Sequence, residues 1–165
     1  MTAIVAIRRL TSEDINIVAE IYCRSFGERL PWLTGASTRD EDRAFFRETV
    51  FPHCDVWGAV ENGKVIGFAA LRGVWLDHLY VLPEYQSRGV GSFLIRHCQL
   101  QVPELQLWTF QQNVGASRFY ESHGFDLIRT TEDTGTPGRE PDALYRWQRP
   151  PGFDPLSPSE AIIGA

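Results

Sequence analysis

WLDHLYVLPEYQSRGVGSFLIRHCQLQ, residues Trp75–Gln101, divides by periodicity into a strand, a tight loop and a helix. Trp75–Leu82 mixes aromatic and β-branched residues with leucines and stops at Pro83, which has no N–H for a ladder. From Ser92 onward Phe93, Leu94 and Cys98 recur at helical spacing, with Leu100 close by. Between strand and helix lie Gly89 and Gly91, whose missing Cβ atoms let a ligand approach the backbone. Successive N–H groups at the helix start, beside Arg88, suit a pyrophosphate through hydrogen bonds and the helix dipole. The commoner phosphate loops do not fit. A P-loop needs Lys-Ser or Lys-Thr after its last glycine, and here Ser92-Phe93 follows Gly91. A dinucleotide fingerprint needs a small residue at Leu94 and an acid about 20 positions on, where Thr109, Phe110 and Gln111 stand.

Residues Leu107–Phe125, LWTFQQNVGASRFYESHGF, form a second block of strand and helix. Asn113 is a good N-cap for a helix beginning near Val114, and Gly124 suits the position just past its end. Positions 113, 116, 120 and 123–124 share one helical face, so Asn113 and Tyr120 point the same way. Gln86-x-x-Gly89-x-Gly91, after a strand ending Leu79-Tyr80-Val81-x-Pro83, resembles the acetyl-CoA loop of the GNAT superfamily of N-acetyltransferases. The second block resembles that family's next strand and helix, and the two blocks occur in the family's order. The resemblance extends, more weakly, over roughly residues 3–148.

The resemblance implies a mixed α/β fold with a largely antiparallel sheet of six or seven strands, splayed near Val81 and Leu107, and about four helices. It implies acetyl-CoA as cosubstrate and a primary amine of a small molecule or peptide as acceptor. The pantetheine arm would pair with the strand edge at Leu79, Tyr80 and Val81, whose N–H groups would also hold the oxyanion. Gln86, Ser87, Arg88, Gly89, Val90, Gly91 and Ser92 would form the cosubstrate loop, with Asn113 contacting the cosubstrate. Tyr120 would protonate the departing thiolate.

The acceptor amine must lose a proton, and its base is less plainly marked. Some family members carry a glutamate where this chain has Trp108. Asp77 is the first candidate; His78 and a water relay are the others. Strand neighbours face opposite sides, so at most one of Asp77 and His78 reaches the acceptor. The segment between the first two helices lines the acceptor pocket in this family, which makes Tyr22, Phe26, Leu30, Pro31 and Trp32 substrate candidates, Trp32 above the others. The residue at Trp108 leaves one alternative, a module that binds acetyl-CoA without turnover.

At 165 residues the chain reads as one acetyltransferase-like domain, residues 1–148, followed by a tail, residues 149–165, with Pro150, Pro151, Pro155 and Pro158. A net charge of −5 argues against nucleic-acid binding, which uses a basic face. Cys23, Cys54 and Cys98 are widely spaced and odd in number, which points to a reducing, cytoplasmic setting without zinc or disulfides. No apolar run reaches the ~20 residues of a membrane span. A monomer or homodimer is expected.

Around the two blocks, Ala3–Arg8 reads as a strand and Thr11-Ser12-Glu13-Asp14 as a helix start, with Ile15, Val18, Ala19, Tyr22 and Phe26 turned inward. Gly27–Ser37 reads as a loop, and Arg39–Val50 as a helix with Phe45 and Phe46 inward. His53-Cys54-Asp55 is structural, since three adjacent residues in a strand cannot face one ion. Asn62-Gly63 between Val56–Glu61 and Val65–Arg72 marks a tight hairpin. Phe125–Thr131 and Ala143–Trp147 supply the last strands. His97 and His123 read as helix-surface residues.

Overall fold

A computed structural model describes residues 4–29, 39–131 and 141–153. Strand β1, Val5–Arg9, leads through a short 3-10 turn into helix α1, Ile15–Arg29. The turn is a capping box: Thr11 N–H donates to Asp14 Oδ2 at 2.9 Å, and Glu13 N–H to Thr11 Oγ1 at 3.4 Å. Helix α2, Arg39–Phe45, runs on into a π-helical turn, Phe46–Val50, and a short helix α3, Phe51–His53. Strands β2, Asp55–Glu61, and β3, Lys64–Arg72, form a hairpin whose Asn62 and Gly63 both take positive φ (51° and 78°), as its two-residue turn demands. Then come β4, Trp75–Val81; α4, Val90–Gln101; β5, Glu104–Phe110; α5, Val114–Ser122; β6, Asp126–Thr130; and β7, Asp142–Gln148.

The seven strands lie in the order β1-β2-β3-β4-β5-β7-β6. Every neighbouring pair is antiparallel except β4 and β5, which run parallel and register at one pair, Trp75 with Gln106. The expected splay is therefore present, and it opens in the middle of the sheet. One apolar core lies under α4 and α5, around Ile66, Leu94, Leu105 and Leu107. The other lies on the opposite face, under α1 and the Phe46–Val50 turn, around Val18, Ile21, Phe46 and Phe68. β3 serves both and is buried from Val65 to Leu71.

Two expectations need correction. Gly27 belongs to α1, which continues to Arg29; a glycine inside a helix costs only about 1 kcal/mol relative to alanine. Phe46 is fully buried, but Phe45 is 40% exposed, because consecutive helical residues point about 100° apart. The first residues of the expected tail pack on the domain: Arg149 Nη2 donates to the carbonyls of Gln99, Leu100 and Val102 at the end of α4, and Phe153 packs edge-to-face with Trp147.

Helix α5 ends in a Schellman motif. Phe125 N–H reaches Tyr120 O and Gly124 N–H reaches Glu121 O, both at 3.1 Å, with Gly124 at φ +86°. A Cβ on Gly124 would also stand 3.3 Å from Trp147 Cδ1. Gly124→Ala is therefore expected to lose about 1–2 kcal/mol of stability. Urea denaturation measures it; an unchanged midpoint would contradict the strain assigned to this turn.

Candidate active site

The site is built on the free edge of β4. Leu82 N–H donates to Ile66 O on β3 at 2.8 Å, so strand alternation turns the N–H and C=O groups of Leu79 and Val81 the other way, towards β5. Gln106 N–H bonds Val74 O at 2.8 Å beside the Trp75–Gln106 pair, and beyond it β5 has left. Val81 O is taken by Ser25 Oγ at 2.7 Å and Gln86 Nε2 at 2.9 Å. The gap opens into a cavity of about 730 Å³. Its lining comes from both faces of the sheet: Ser25 of α1 on one side, and Gly91, Ser92, Asn113, Gly115, Ala116, Phe119 and Tyr120 of α4 and α5 on the other.

Most of the residues singled out in the sequence meet there. Leu79, Tyr80, Val81, Gln86, Ser87, Gly89, Gly91, Ser92, Asn113, Tyr120 and Asp77 all line the cavity. Ser87 (φ 61°) and Gly89 (φ 85°) carry the loop through left-handed backbone, and Gly89 is the N-cap of α4. Asn113 Oδ1 accepts from Ala116 N–H at 3.2 Å, as an N-cap should, which leaves its amide NH₂ for other partners. Val90 is buried in the core, and Arg88 lies 5.3 Å from the Tyr85 ring centroid; neither side chain lines the cavity.

Asp77 and His78 depart from strict alternation. Ala70 pairs with His78 and Leu71 with Leu76, so Asp77 is the extra residue of a β-bulge. Both side chains consequently meet residues of the core under α1: Asp77 accepts from Cys54 Sγ at 3.7 Å, and His78 packs on Phe46 at 5.6 Å. Arg72 holds the Asp77 carboxylate bidentately, Nε to Oδ2 at 2.7 Å and Nη2 to Oδ1 at 3.1 Å, and this hydrogen bonding raises the Arg72 pKa. Burial, with Asp77 adding to it, pushes the Cys54 thiol up to about 11. A smaller recess of about 160 Å³, formed by Arg72, Trp75, Leu76, Asp77 and Trp108, adjoins the main cavity. Trp108 is 40% exposed and carries Arg129 5.3 Å from its ring centroid.

Tyr22 and His78 do not line the cavity. They sit together, ring centroids 6.1 Å apart, within an aromatic cluster that includes Phe45, Phe46 and Tyr80. Leu30, Pro31 and Trp32 lie outside the described residues, as does the side chain of Phe26. Burial pushes His78 down to about 4 against an ordinary 6.5, with Asp77 opposing. The unfolded chain thus binds a proton that the folded one refuses until lower pH. Stability is full above about 6.5 and falls as the pH drops towards about 4, by on the order of 3 kcal/mol. His78→Phe is expected to flatten that part of a urea-denaturation profile; an identical slope in the variant would assign the loss elsewhere.

Reading the sequence missed several lining residues. Ser25 carried a signal, a small polar residue on the buried stripe of α1, where it is 1% exposed. Phe119 had none beyond its neighbour Tyr120. His97 and His123 are not simple surface residues: His97 packs 4.4 Å from the Trp57 ring, and His123 Nε2 lies 3.0 Å from Ser92 Oγ. Among the described residues no group of three His, Cys, Asp or Glu side chains forms a metal site, and no helix is long and apolar enough to cross a membrane.

A family profile described as "Acetyltransferase (GNAT) domain" matches residues 52–127, which contain β4, the loop and α5. The peptidyl-lysine N-acetyltransferase YjaB of Escherichia coli K12 is 32% identical over 137 residues, covering 81% of this chain and 92% of that protein. The chain belongs to the GNAT superfamily. A second relative, the peptidyl-lysine N-acetyltransferase YiaC of the same strain, is 27% identical over 74% of the chain and 84% of its own length. The solution structure of apo YjaB superposes with a TM-score of 0.73 at 27% identity, covering 89% of this chain and 99% of that one. This GNAT protein is an acetyl-CoA-dependent N-acetyltransferase, and its seven-stranded sheet is the family's.

Proposed function

We propose that this GNAT enzyme moves the acetyl group of acetyl-CoA directly to the side-chain amine of a lysine in a peptide or protein, or to a small primary amine of similar shape. The observation that carries this is the cavity through the sheet, which joins the free β4 edge, the N-terminus of α4 and Tyr120 in one space. Two relatives are named for peptidyl-lysine, which favours that acceptor.

The turned-out N–H and C=O of Leu79 and the N–H of Val81 serve the extended arm of the cosubstrate and the oxyanion, the Val81 carbonyl being taken by Ser25 and Gln86. The N-terminal turn of α4 and the Gln86–Gly89 loop hold the pyrophosphate. Asp77, held by Arg72 at the cavity wall, keeps lone pairs on both oxygens with which to accept from the acceptor's ammonium, and water carries its proton away. The neutral amine forms the C–N bond; as the tetrahedral intermediate collapses the C–S bond breaks, the Tyr120 phenol gives the leaving thiolate its proton, and the surplus proton on nitrogen passes to solvent, from which the Tyr120 phenolate is reprotonated. Cys23, Cys54 and Cys98 do not line the cavity, in keeping with direct attack. A cytoplasmic location suits three free thiols.

The test is release of CoA thiol with acetyl-CoA and a panel of lysine peptides, polyamines and free amino acids. Turnover with lysine peptides, and acetyl-lysine by mass spectrometry, is expected. Turnover confined to amino acids or polyamines would replace the peptide reading, and tight CoA binding without any turnover would sink the catalytic one.

A further inference from the structure

A polar link between the two helices that frame the cavity involves a residue with no role in the chemistry above. Ser92, the third residue of α4, lines the cavity, and its Oγ lies 3.0 Å from His123 Nε2 at the end of α5. His123 is held in place from several sides. Its ring centroid is 4.6 Å from that of Phe119, its carbonyl accepts from Gln99 Nε2 at 3.1 Å, and its N–H bonds Tyr120 O at 3.0 Å. Gln99 is itself fully buried. Phe119 in turn lies against Gly91, where a Cβ would be 3.4 Å from its ring. Contacts that do not involve Ser92 thus fix the His123 backbone, and Phe119 packs against its ring.

A serine hydroxyl has one hydrogen to give and two lone pairs to receive. If the ring nitrogen donates, the hydroxyl hydrogen is free for an anion in the cavity. If it accepts, that hydrogen is consumed. An anionic ligand beside Ser92 selects the first arrangement, because a donating chain ending on a phosphate oxygen places every hydrogen bond in the same sense.

We propose that His123 is a positioning residue of the cosubstrate site: its Nε2–H donates to Ser92 Oγ and commits the hydroxyl as a donor to the pyrophosphate of acetyl-CoA. This rests on the reading of the cavity as the acetyl-CoA site. His123 acts through Ser92 and touches no reacting atom, so its effect belongs in cosubstrate affinity.

Calorimetric titration with CoA and steady-state kinetics in acetyl-CoA test it on four variants. His123→Phe keeps the ring contact with Phe119 and removes the donor; it is expected to raise the CoA Kd and the acetyl-CoA KM about tenfold, with kcat retained. Ser92→Ala should lose about as much, and the double variant should lose no more than either single one. His123→Gln, which returns an N–H near the Nε2 position, should bind within about twofold of the wild type. Losses that multiply in the double variant, a His123→Phe protein that binds normally, or a Gln variant as weak as the Phe variant would each overturn the link. Failure of the wild type to bind CoA would overturn the cosubstrate reading along with it.

Discussion

Tyr120→Phe is expected to lower kcat about 10²- to 10³-fold while the dissociation constant for CoA stays within about twofold of the wild-type value. The ring is fixed by Phe119, Phe125 and Tyr145, at centroid distances of 5.3, 5.5 and 6.5 Å, and phenylalanine preserves all three contacts. What disappears is the phenol. An unprotonated alkyl thiolate leaves poorly from a tetrahedral centre, so the barrier rises at the step where the C–S bond breaks. The defect should shrink with an acyl donor whose leaving thiol is more acidic, since such a thiolate departs without help. A variant within tenfold of the wild type on acetyl-CoA would remove Tyr120 from the role of general acid.

Gly89→Asp is expected to weaken acetyl-CoA binding by 100-fold or more. Two effects coincide at this residue. Its φ of 85° lies in the left-handed region, where a β-carbon costs on the order of 1 kcal/mol. It also caps α4 at the point where the helix meets the cavity, so a carboxylate there would face the pyrophosphate with like charge. Gly89→Asn separates the two: asparagine tolerates left-handed backbone and brings no charge, and its loss should be about tenfold or less. Calorimetry on both variants decides. Equal affinity for wild type and the Asp variant would show that the anion sits elsewhere.

What was legible in the chain beforehand is what short-range chemistry decides. Asn62-Gly63 requires a tight hairpin whatever surrounds it, Asn113 caps a helix through its own side chain, and Gly124 ends that helix at a left-handed position. The loop from Gln86 to Gly91 was readable only because it and the block Leu107–Phe125 together resemble a known family; its glycines alone are those of an ordinary turn. The missed features depend on pairing between distant segments. The bulge that puts Asp77 and His78 towards one core comes from the register of β4 on β3, and periodicity within β4 does not reveal it. The bidentate hold of Arg72 on Asp77 accompanies that bulge and anchors the carboxylate of this candidate base. Ser25 joins the cavity only because α1 crosses the end of β4, and His123 finds Ser92 only when α5 packs beside α4.

The lone pair between Trp75 and Gln106 has a mechanical consequence. It joins a four-stranded leaf to a three-stranded leaf at one end of their seam and thereby acts as a pivot. At about 3.3 Å per residue, Leu79 stands roughly 13 Å along β4 from that pivot and Val81 roughly 20 Å. Any small rotation of one leaf about the pivot displaces the far end of the seam more than the near end. Any breathing of the leaves therefore widens the passage most beyond Val81, next to the Gln86–Gly91 loop, and least near Trp75. The two ends of one strand thus differ, by leverage alone, in how far the sheet can part beside them.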